Sequence, residues 1–113
     1  MEFITLHTKH TTYQMGISDY GFLLHLYYGP KTQDNMEWLL TRYDRGFSGN
    51  PYEAGNDRTF SMDIFPQEYP CYGNGDFRSP AFNVRNKNGV FGADLRYCSH
   101  RFVWGKYSIP GLP

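Results

Sequence analysis

Carboxylates and arginines stand next to one another at several places in the chain. Asp44 lies between two arginines in the sequence Arg-Tyr-Asp-Arg, which would hold it ionised, and Asp57 directly precedes Arg58. Two further acids, Glu68 and Asp76, lie in a segment rich in aromatic residues. Two carboxylates hydrolyse a glycoside when they flank the scissile bond, but the spacing singles out no such pair. The alternative is that these acids form salt bridges and turn caps with the neighbouring arginines.

The same residue types also suit a surface that binds sugars without cleaving them. Carboxylates accept hydrogen bonds from hydroxyl groups, guanidinium groups donate them, and aromatic rings pack against sugar ring faces. Aromatic residues make up 19% of the chain, which is more than a core of this size needs. The composition is therefore consistent with a lectin-like surface, and a Tyr-rich β surface without a ligand is the alternative.

The histidines do not predict a metal site. His7 and His10 are three residues apart, and in a strand this spacing puts them on opposite faces. His25 stands in an apolar strand, as a core or edge histidine would, and His100 is beside Arg101 in a polar patch. No nucleophile elbow, phosphate-binding glycine loop or EF-hand pattern occurs. We therefore predict no metal and no cofactor.

Charge and cysteine content limit which binding partners and which cellular compartment the sequence predicts. The 11 Lys and Arg residues balance the 11 Asp and Glu residues, so neither nucleic acid nor an anionic membrane is an expected partner. No stretch approaches the roughly 20 apolar residues that span a bilayer. Cys71 and Cys98 could form one bridge, but a single pair without a secretory signal pattern favours reduced thiols and a cytoplasmic protein.

The elements that must position these groups are predicted to be strands. Tyr, Phe and Thr are abundant and helix formers are scarce, which predicts an all-β antiparallel sandwich in one domain, with hairpins joined by long aromatic, Gly- and Pro-containing loops. Alternation of apolar residues and turn signals, including Asn88-Gly89, predict the following strands: 2–6, 12–17, 22–28, 81–85, 90–97 and 102–104.

The stretches between these strands are predicted to be mostly loop. Residues 67–80, QEYPCYGNGDFRSP, carry no periodic apolar face and contain fixed-φ prolines, so we expect a shaped surface loop. Residues 43–60 contain three Gly residues and one Pro and should also be mostly loop. Residues 32–40 are ambiguous, and Asp34 could cap a single helical turn there.

Six short motifs, in order along the chain, resemble the N-terminal region of family 36 glycoside hydrolases, the bacterial α-galactosidases. The similarity runs through nearly the whole chain and several motifs match in register. The motifs are RYDR at 42–45, DRTFS at 57–61, QEYP at 67–70, YGNGDFRSPA at 72–81, DLRY at 94–97 and IPGLP at 109–113.

This resemblance implies that residues 1–113 are the first part of a β-supersandwich domain. The family adds a (β/α)₈ barrel, whose two aspartates hydrolyse terminal α-galactosides with retention, and a small C-terminal β domain. The barrel would be absent from this chain, so none of its acids is expected to be catalytic. A non-catalytic role in an α-galactosidase is therefore implied, and a stand-alone carbohydrate-binding module is the alternative.

The resemblance also implies which residues meet the sugar. In tetrameric family members, loops of this domain reach into the active site of a neighbouring subunit and help to form its galactose pocket. Asp44 and Arg58 would be the sugar-contacting residues, and Tyr72, Asp76 and Arg78 are candidates of lower rank. The expected ligands are α-galactosides of the galactose, melibiose and raffinose type, and the expected assembly is a homo-oligomer, a tetramer.

Overall fold

The strands of the described residues form a three-stranded antiparallel sheet, made by the first 30 residues. The computed structural model describes residues 1–44 and 49–112, so Arg45 and Pro113 of the motifs above lie outside the described residues. The strands pair in the order β1-β2-β3 and are β1 (Glu2–His7), β2 (Thr11–Ile17) and β3 (Leu23–Pro30). The predicted all-β antiparallel fold is confirmed, and the first three strands lie where the alternation predicted them.

The two hairpins of the sheet are closed by short polar turns. Between β1 and β2, the Thr8 amide donates to the Thr11 carbonyl at 2.9 Å. Between β2 and β3, the Ser18 hydroxyl accepts the Phe22 amide at 3.1 Å, and Gly21 takes a positive φ of 82° that favours glycine. These local bonds fix the register, which places Met15 opposite His25.

Two buried polar residues of β2 hold the chain that follows β3. The Thr12 hydroxyl accepts the Thr32 amide at 3.0 Å, and the Gln14 side chain accepts the Met36 amide at 2.8 Å. A single 3-10 turn follows at Glu37–Leu39, within the stretch where one helical turn was considered. The Glu37 amide donates to the side chain of Asn35 at 2.8 Å, but the N-cap position is Met36, so the cap that the sequence suggested for Asp34 is wrong.

The core lies where β3 meets a non-strand segment. Among the described residues, its main cluster consists of six buried side chains, most of them from outside the sheet: Phe22, Leu24, Ala54, Phe60, Met62 and Phe65. Phe60 meets Tyr20 and Phe65 edge to face, with ring centroids 4.7 and 4.8 Å apart. Fully burying a Phe or Leu side chain contributes about 1.5–3 kcal/mol to folding. Residues 49–65 are therefore held in place by their buried apolar side chains, although their regular structure is a single helical turn, Tyr52–Ala54.

The second predicted hairpin is wrong. Its turn forms, because the Gly89 amide donates to the Asn86 carbonyl and the Asn86 amide donates to the Val90 carbonyl, both at 2.9 Å. No strand forms at 81–85 or 90–97. Backbone groups there bond to loops instead, as the Ala93 amide does to the Tyr72 carbonyl at 3.1 Å. The turn itself is present, but Val84 and Val90 stay exposed. No buried apolar face therefore stabilises strand pairing on either side of the turn.

The predicted strand at 102–104 is also wrong, since these residues form no ladder and Trp104 is fully exposed. Across the described ranges, neither helical turn approaches the length and apolarity that crossing a membrane requires.

Candidate functional site

Asp44 and Arg58 lie side by side on the surface. The Arg58 Nε is 3.2 Å from Asp44 Oδ1, and the two side chains are 57% and 58% exposed, respectively. The structure therefore brings together the two residues predicted to contact sugar, although they are 14 positions apart in the sequence. An ion pair this exposed contributes only about 0–1 kcal/mol to folding. Both groups face outward, where a ligand or another molecule can reach them.

A compact turn at 57–59 presents Arg58. Asp57 Oδ1 accepts the Thr59 amide at 3.0 Å and the Thr59 hydroxyl at 2.6 Å. These two bonds, with the nearby Arg42 guanidinium, hold the pKa of the Asp57 carboxyl below its usual range. The Asn50 side chain donates to the Asp57 carbonyl at 2.9 Å. Asp57 is thus the turn cap that the sequence offered as an alternative, whereas its neighbour Arg58 points away to Asp44.

The residue two positions before Asp44 is tied to the same turn. Arg42 Nη2 is 3.7 Å from Asp57 Oδ2, and its guanidinium lies over the rings of Phe60 and Phe65, 5.5 and 5.9 Å from their centroids. Such a cation–π contact contributes about 0.5–1 kcal/mol at an exposed site. Both members of the Asp44–Arg58 pair are therefore attached to one small scaffold around residues 57–60.

Asp76 and Arg78 form a second, more buried pair. Asp76 is 1% exposed, and its oxygens accept the Arg78 amide at 3.1 Å, the Arg78 guanidinium at 2.9 Å and the Gln67 side chain at 2.8 Å. Burial alone raises the carboxyl pKa, but the Arg78 and Gln67 hydrogen bonds and the Arg78 charge outweigh it and lower the pKa. Arg78 also donates to the backbone carbonyls of Met62 and Phe65, at 3.1 and 2.6 Å.

Tyr72 borders an open cleft instead. Its ring meets Phe77 edge to face at 5.6 Å, and the cleft, of about 290 Å³, is lined by Tyr72, Asn83 and Phe91. A smaller cleft of about 70 Å³ lies beside Arg42 and is lined in part by Asp19 and Phe60. Ligand pockets typically measure roughly 300–1,000 Å³ and bury most of the ligand. The larger cleft is wide open to solvent and the smaller one is well below this size, so neither alone encloses a sugar.

Two glycines bring the predicted sugar-contacting loop against the segment at 67–80. A Cβ added to Gly75 would lie 2.3 Å from the Gly49 carbonyl oxygen, and one added to Gly49 would lie 2.4 Å from the Gly75 Cα. Only residues without a side chain permit this approach of two backbones. Sequence reasoning did not find the contact, and its only signal was the presence of the two glycines.

A third cluster was also missed, although its members were noted singly. Glu68 Oε1 accepts the Tyr13 hydroxyl and lies 3.0 Å from His25 Nδ1. Burial, then the hydrogen bond and the charge of Glu68, raises the pKa of Tyr13 to about 12. These contacts join β2 and β3 to the segment at 67–80, which is also held by the Glu68 amide bonded to the Leu23 carbonyl at 3.0 Å. The cluster has too few possible ligands to be a metal site. Among the described residues, no group of three His, Cys, Asp or Glu side chains could hold a metal ion.

Comparison with known proteins gives one consistent result. The family model described as the glycosyl hydrolase family 36 N-terminal domain matches residues 21–113. The bifunctional α-galactosidase/sucrose kinase AgaSK of Mediterraneibacter gnavus is 58% identical over 109 residues, which are 96% of this chain and 12% of that protein.

Solved structures agree with this comparison. The galactosidase domain of AgaSK superimposes with a TM-score of 0.90 at 57% identity, covering 98% of this chain and 15% of the solved chain. The α-galactosidase AgaA A355E D548N of Geobacillus stearothermophilus, in complex with raffinose, superimposes with a TM-score of 0.86 at 42% identity, covering 99% of this chain and 16% of that one. This chain therefore spans less than a fifth of the length of these relatives.

Proposed function

Because this chain belongs to the glycosyl hydrolase family 36 N-terminal domain, we propose that it is a non-catalytic β domain of an α-galactosidase. Residues 1–113 would be the N-terminal portion of the β-supersandwich, and the catalytic barrel would lie outside them. The full enzyme would hydrolyse terminal α-galactosides with retention. The support is the family match together with the 12% of AgaSK that this chain covers, which leaves most of that α-galactosidase outside the matched region.

The observation that carries the proposal is the exposed Asp44–Arg58 pair. A carboxylate accepts hydrogen bonds from two vicinal hydroxyls, and a guanidinium donates in a fixed fork while keeping its charge. Since both side chains are more than half exposed, a second molecule can cover them and exclude water. In that arrangement the pair would complete the galactose pocket of a neighbouring subunit in a homo-oligomer, a tetramer. Of the candidates of lower rank, Tyr72 would contact the sugar, whereas Asp76 and Arg78 would support the pair.

The proposed ligands are α-galactosides of the galactose, melibiose and raffinose type. The support is that AgaA, at 42% identity, was crystallised with raffinose. The proposed compartment is the cytoplasm. Its support is that Cys71 and Cys98 are both free thiols, as expected in a reducing environment.

A chimera tests the proposal directly. In it, this chain replaces the matching segment of the AgaSK galactosidase domain, with which it shares 57% identity and a TM-score of 0.90. We expect the chimera to hydrolyse raffinose with a kcat/KM within about tenfold of the parent, because the barrel supplies the chemistry and the segment completes the pocket. The matched control lacks the segment and should lose activity.

The isolated chain provides the opposite test. By titration calorimetry it should bind neither galactose nor raffinose, because the rest of the pocket is absent. Binding by the isolated chain would instead support a stand-alone carbohydrate-binding module. An inactive chimera that folds and assembles like the parent would contradict the proposed domain role.

A further inference from the structure

Two Asp-x-Arg sequences form the same bidentate ion pair at different places in the fold. Each arginine binds the aspartate two positions before it through Nε and Nη2: the distances are 2.9 and 2.9 Å for Arg78 with Asp76, and 2.6 and 2.9 Å for Arg96 with Asp94. We call these the Arg78 clasp and the Arg96 clasp. Such bidentate, charge-assisted pairs fix the guanidinium plane and aim its remaining N–H groups.

The two clasps fasten different parts of the chain. In the Arg96 clasp, Nη1 donates to the Tyr20 carbonyl at 2.7 Å, and the guanidinium lies over the Phe22 ring at 4.1 Å. Nη1 also lies 3.3 Å from Glu53 Oε1, an ion pair that lysine at position 96 could keep. This clasp therefore holds the segment around Arg96 mainly to the β2–β3 turn. In the Arg78 clasp, Nη2 donates instead to the carbonyls of Met62 and Phe65. Those two carbonyls flank the end of the loop that carries Arg58.

The Arg78 clasp is continuous with the site through backbone contacts. Gly75, next to Asp76, packs directly on the backbone of Gly49. Asn50 follows Gly49 and donates to the carbonyl of Asp57, the residue before Arg58. The loop at 49–62 is thus held at its start by the glycine contact and at its end by the Arg78 hydrogen bonds.

We propose that Asp76 and Arg78 are positioning residues for the Asp44–Arg58 pair, an inference that rests on the proposed function. Asp76 is buried and its oxygens are engaged by Arg78 and Gln67, so it acts through Arg78 and not on the sugar. The clasp sets where the turn at 57–59 lies, and this turn sets where the Arg58 guanidinium meets the galactoside. The Arg96 clasp has the same chemistry, but it meets the loop at 49–62 through a half-exposed ion pair with Glu53, at 3.3 Å, and not through backbone carbonyls.

The test compares Arg78→Lys with Arg96→Lys in the active chimera. Lysine keeps the charge but cannot bind the aspartate bidentately or donate in a fork. Hydrogen-exchange mass spectrometry should show faster exchange at 49–62 in R78K and at 94–97 in R96K. The kcat/KM for raffinose should fall about tenfold in R78K, because small displacements of a binding group are costly, and stay within about twofold of the parent in R96K.

A double-mutant cycle separates positioning from general destabilisation. If Arg78 acts through Arg58, adding R78K to Arg58→Ala should lower kcat/KM no further than R58A alone, whereas the losses in thermal stability should add. Additive kinetic losses, an active R78K, or unchanged exchange at 49–62 overturns this inference while leaving the proposed function standing. An R58A chimera with full activity overturns the proposed sugar contact itself, and the positioning role with it.

Discussion

At the scale of single residues, Asp44 and Arg58 should matter for activity and hardly at all for stability. In the chimera, Asp44→Ala and Arg58→Ala should each lower kcat/KM for an α-galactoside by about 10²-fold, as expected for lost polar contacts to a bound transition state. The midpoint of thermal unfolding should hardly move, because an exposed ion pair contributes at most about 1 kcal/mol. Steady-state kinetics and calorimetric melting measure the two effects.

The matched control for this prediction is Arg101→Ala, which removes an exposed arginine far along the chain from the pair. It should leave both kcat/KM and the unfolding midpoint unchanged. Normal kinetics with a sharp loss of thermal stability in D44A and R58A would instead assign the pair a purely structural role.

Asp76, unlike the Asp44–Arg58 pair, should also contribute strongly to stability. Its carboxylate is buried with charge-assisted hydrogen bonds, so Asp76→Asn should lower the free energy of unfolding by about 2 kcal/mol at pH 7. The folded-state pKa is lowered, so the charged form stabilises the fold above the unfolded-state value of 3.8. This contribution is lost as the pH falls from 3.8 through the folded-state pKa.

Urea unfolding at pH 7 and at pH 3 checks this prediction. The stability gap between wild type and D76N should narrow at pH 3, and Asp94→Asn, which alters a more exposed carboxylate, should give a smaller gap at pH 7. A gap that stays constant between the two pH values would show that the Asp76 charge is not the stabilising feature.

Sequence reasoning reached some of these residues and not others, for physical reasons. Asp44 and Arg58 were found through short motifs, and their proximity depends on a loop whose path no local pattern encodes. The contact of Glu68 with His25 and Tyr13 spans 43 and 55 positions, so it exists only once the segment at 67–80 docks beside β3. A strand histidine and a loop acid carry no sequence signal that they will meet.

At the scale of elements, the glycine contact between the two loops should be sensitive to a single methyl group. Gly75→Ala meets two penalties: a positive φ of 87°, and a Cβ only 2.3 Å from the Gly49 carbonyl oxygen. We expect a loss of about 2–3 kcal/mol in the free energy of unfolding, since overpacking adds to backbone strain. Chemical denaturation of the variant measures it.

Gly105→Ala is the matched control, because Gly105 has a similar φ of 73° but open space around its Cβ position. It should cost only the strain of the left-handed conformation, about 1 kcal/mol. Equal losses in the two variants would mean that the Gly49–Gly75 contact adds nothing beyond backbone conformation.

The same scale explains why three predicted strands formed and the later ones did not. In β1 to β3, local turns and apolar alternation agree, and each strand finds its partner within a few residues. At 81–97, Asn86 to Val90 make the predicted turn, yet the apolar side chains beside it, such as Val84 and Phe91, are exposed instead of packed against the core. An isolated hairpin is only marginally stable in water. The Asn-Gly signal therefore predicted the turn correctly but not the strand pairing beside it.

At the scale of the whole molecule, the isolated chain should self-associate. β1 lies at one edge of the sheet, and large apolar side chains are exposed, including Tyr52, Trp38 and Trp104. Exposed sheet edges and apolar patches pair with other copies when nothing covers them. The formal net charge is zero and the pI is about 6.9, so repulsion between copies is weakest near neutral pH.

Analytical ultracentrifugation across a range of concentrations measures this association. The weight-average mass should rise with concentration at pH 7 and rise less at pH 9, where the chain carries net negative charge and its copies repel. Trp104→Ser should weaken association if the exposed rings drive it, because burying a large aromatic side chain on binding is strongly favourable. A concentration-independent mass of one chain at pH 7 would mean that the exposed rings and the β1 edge need no cover, and that this segment is stable without the rest of an α-galactosidase.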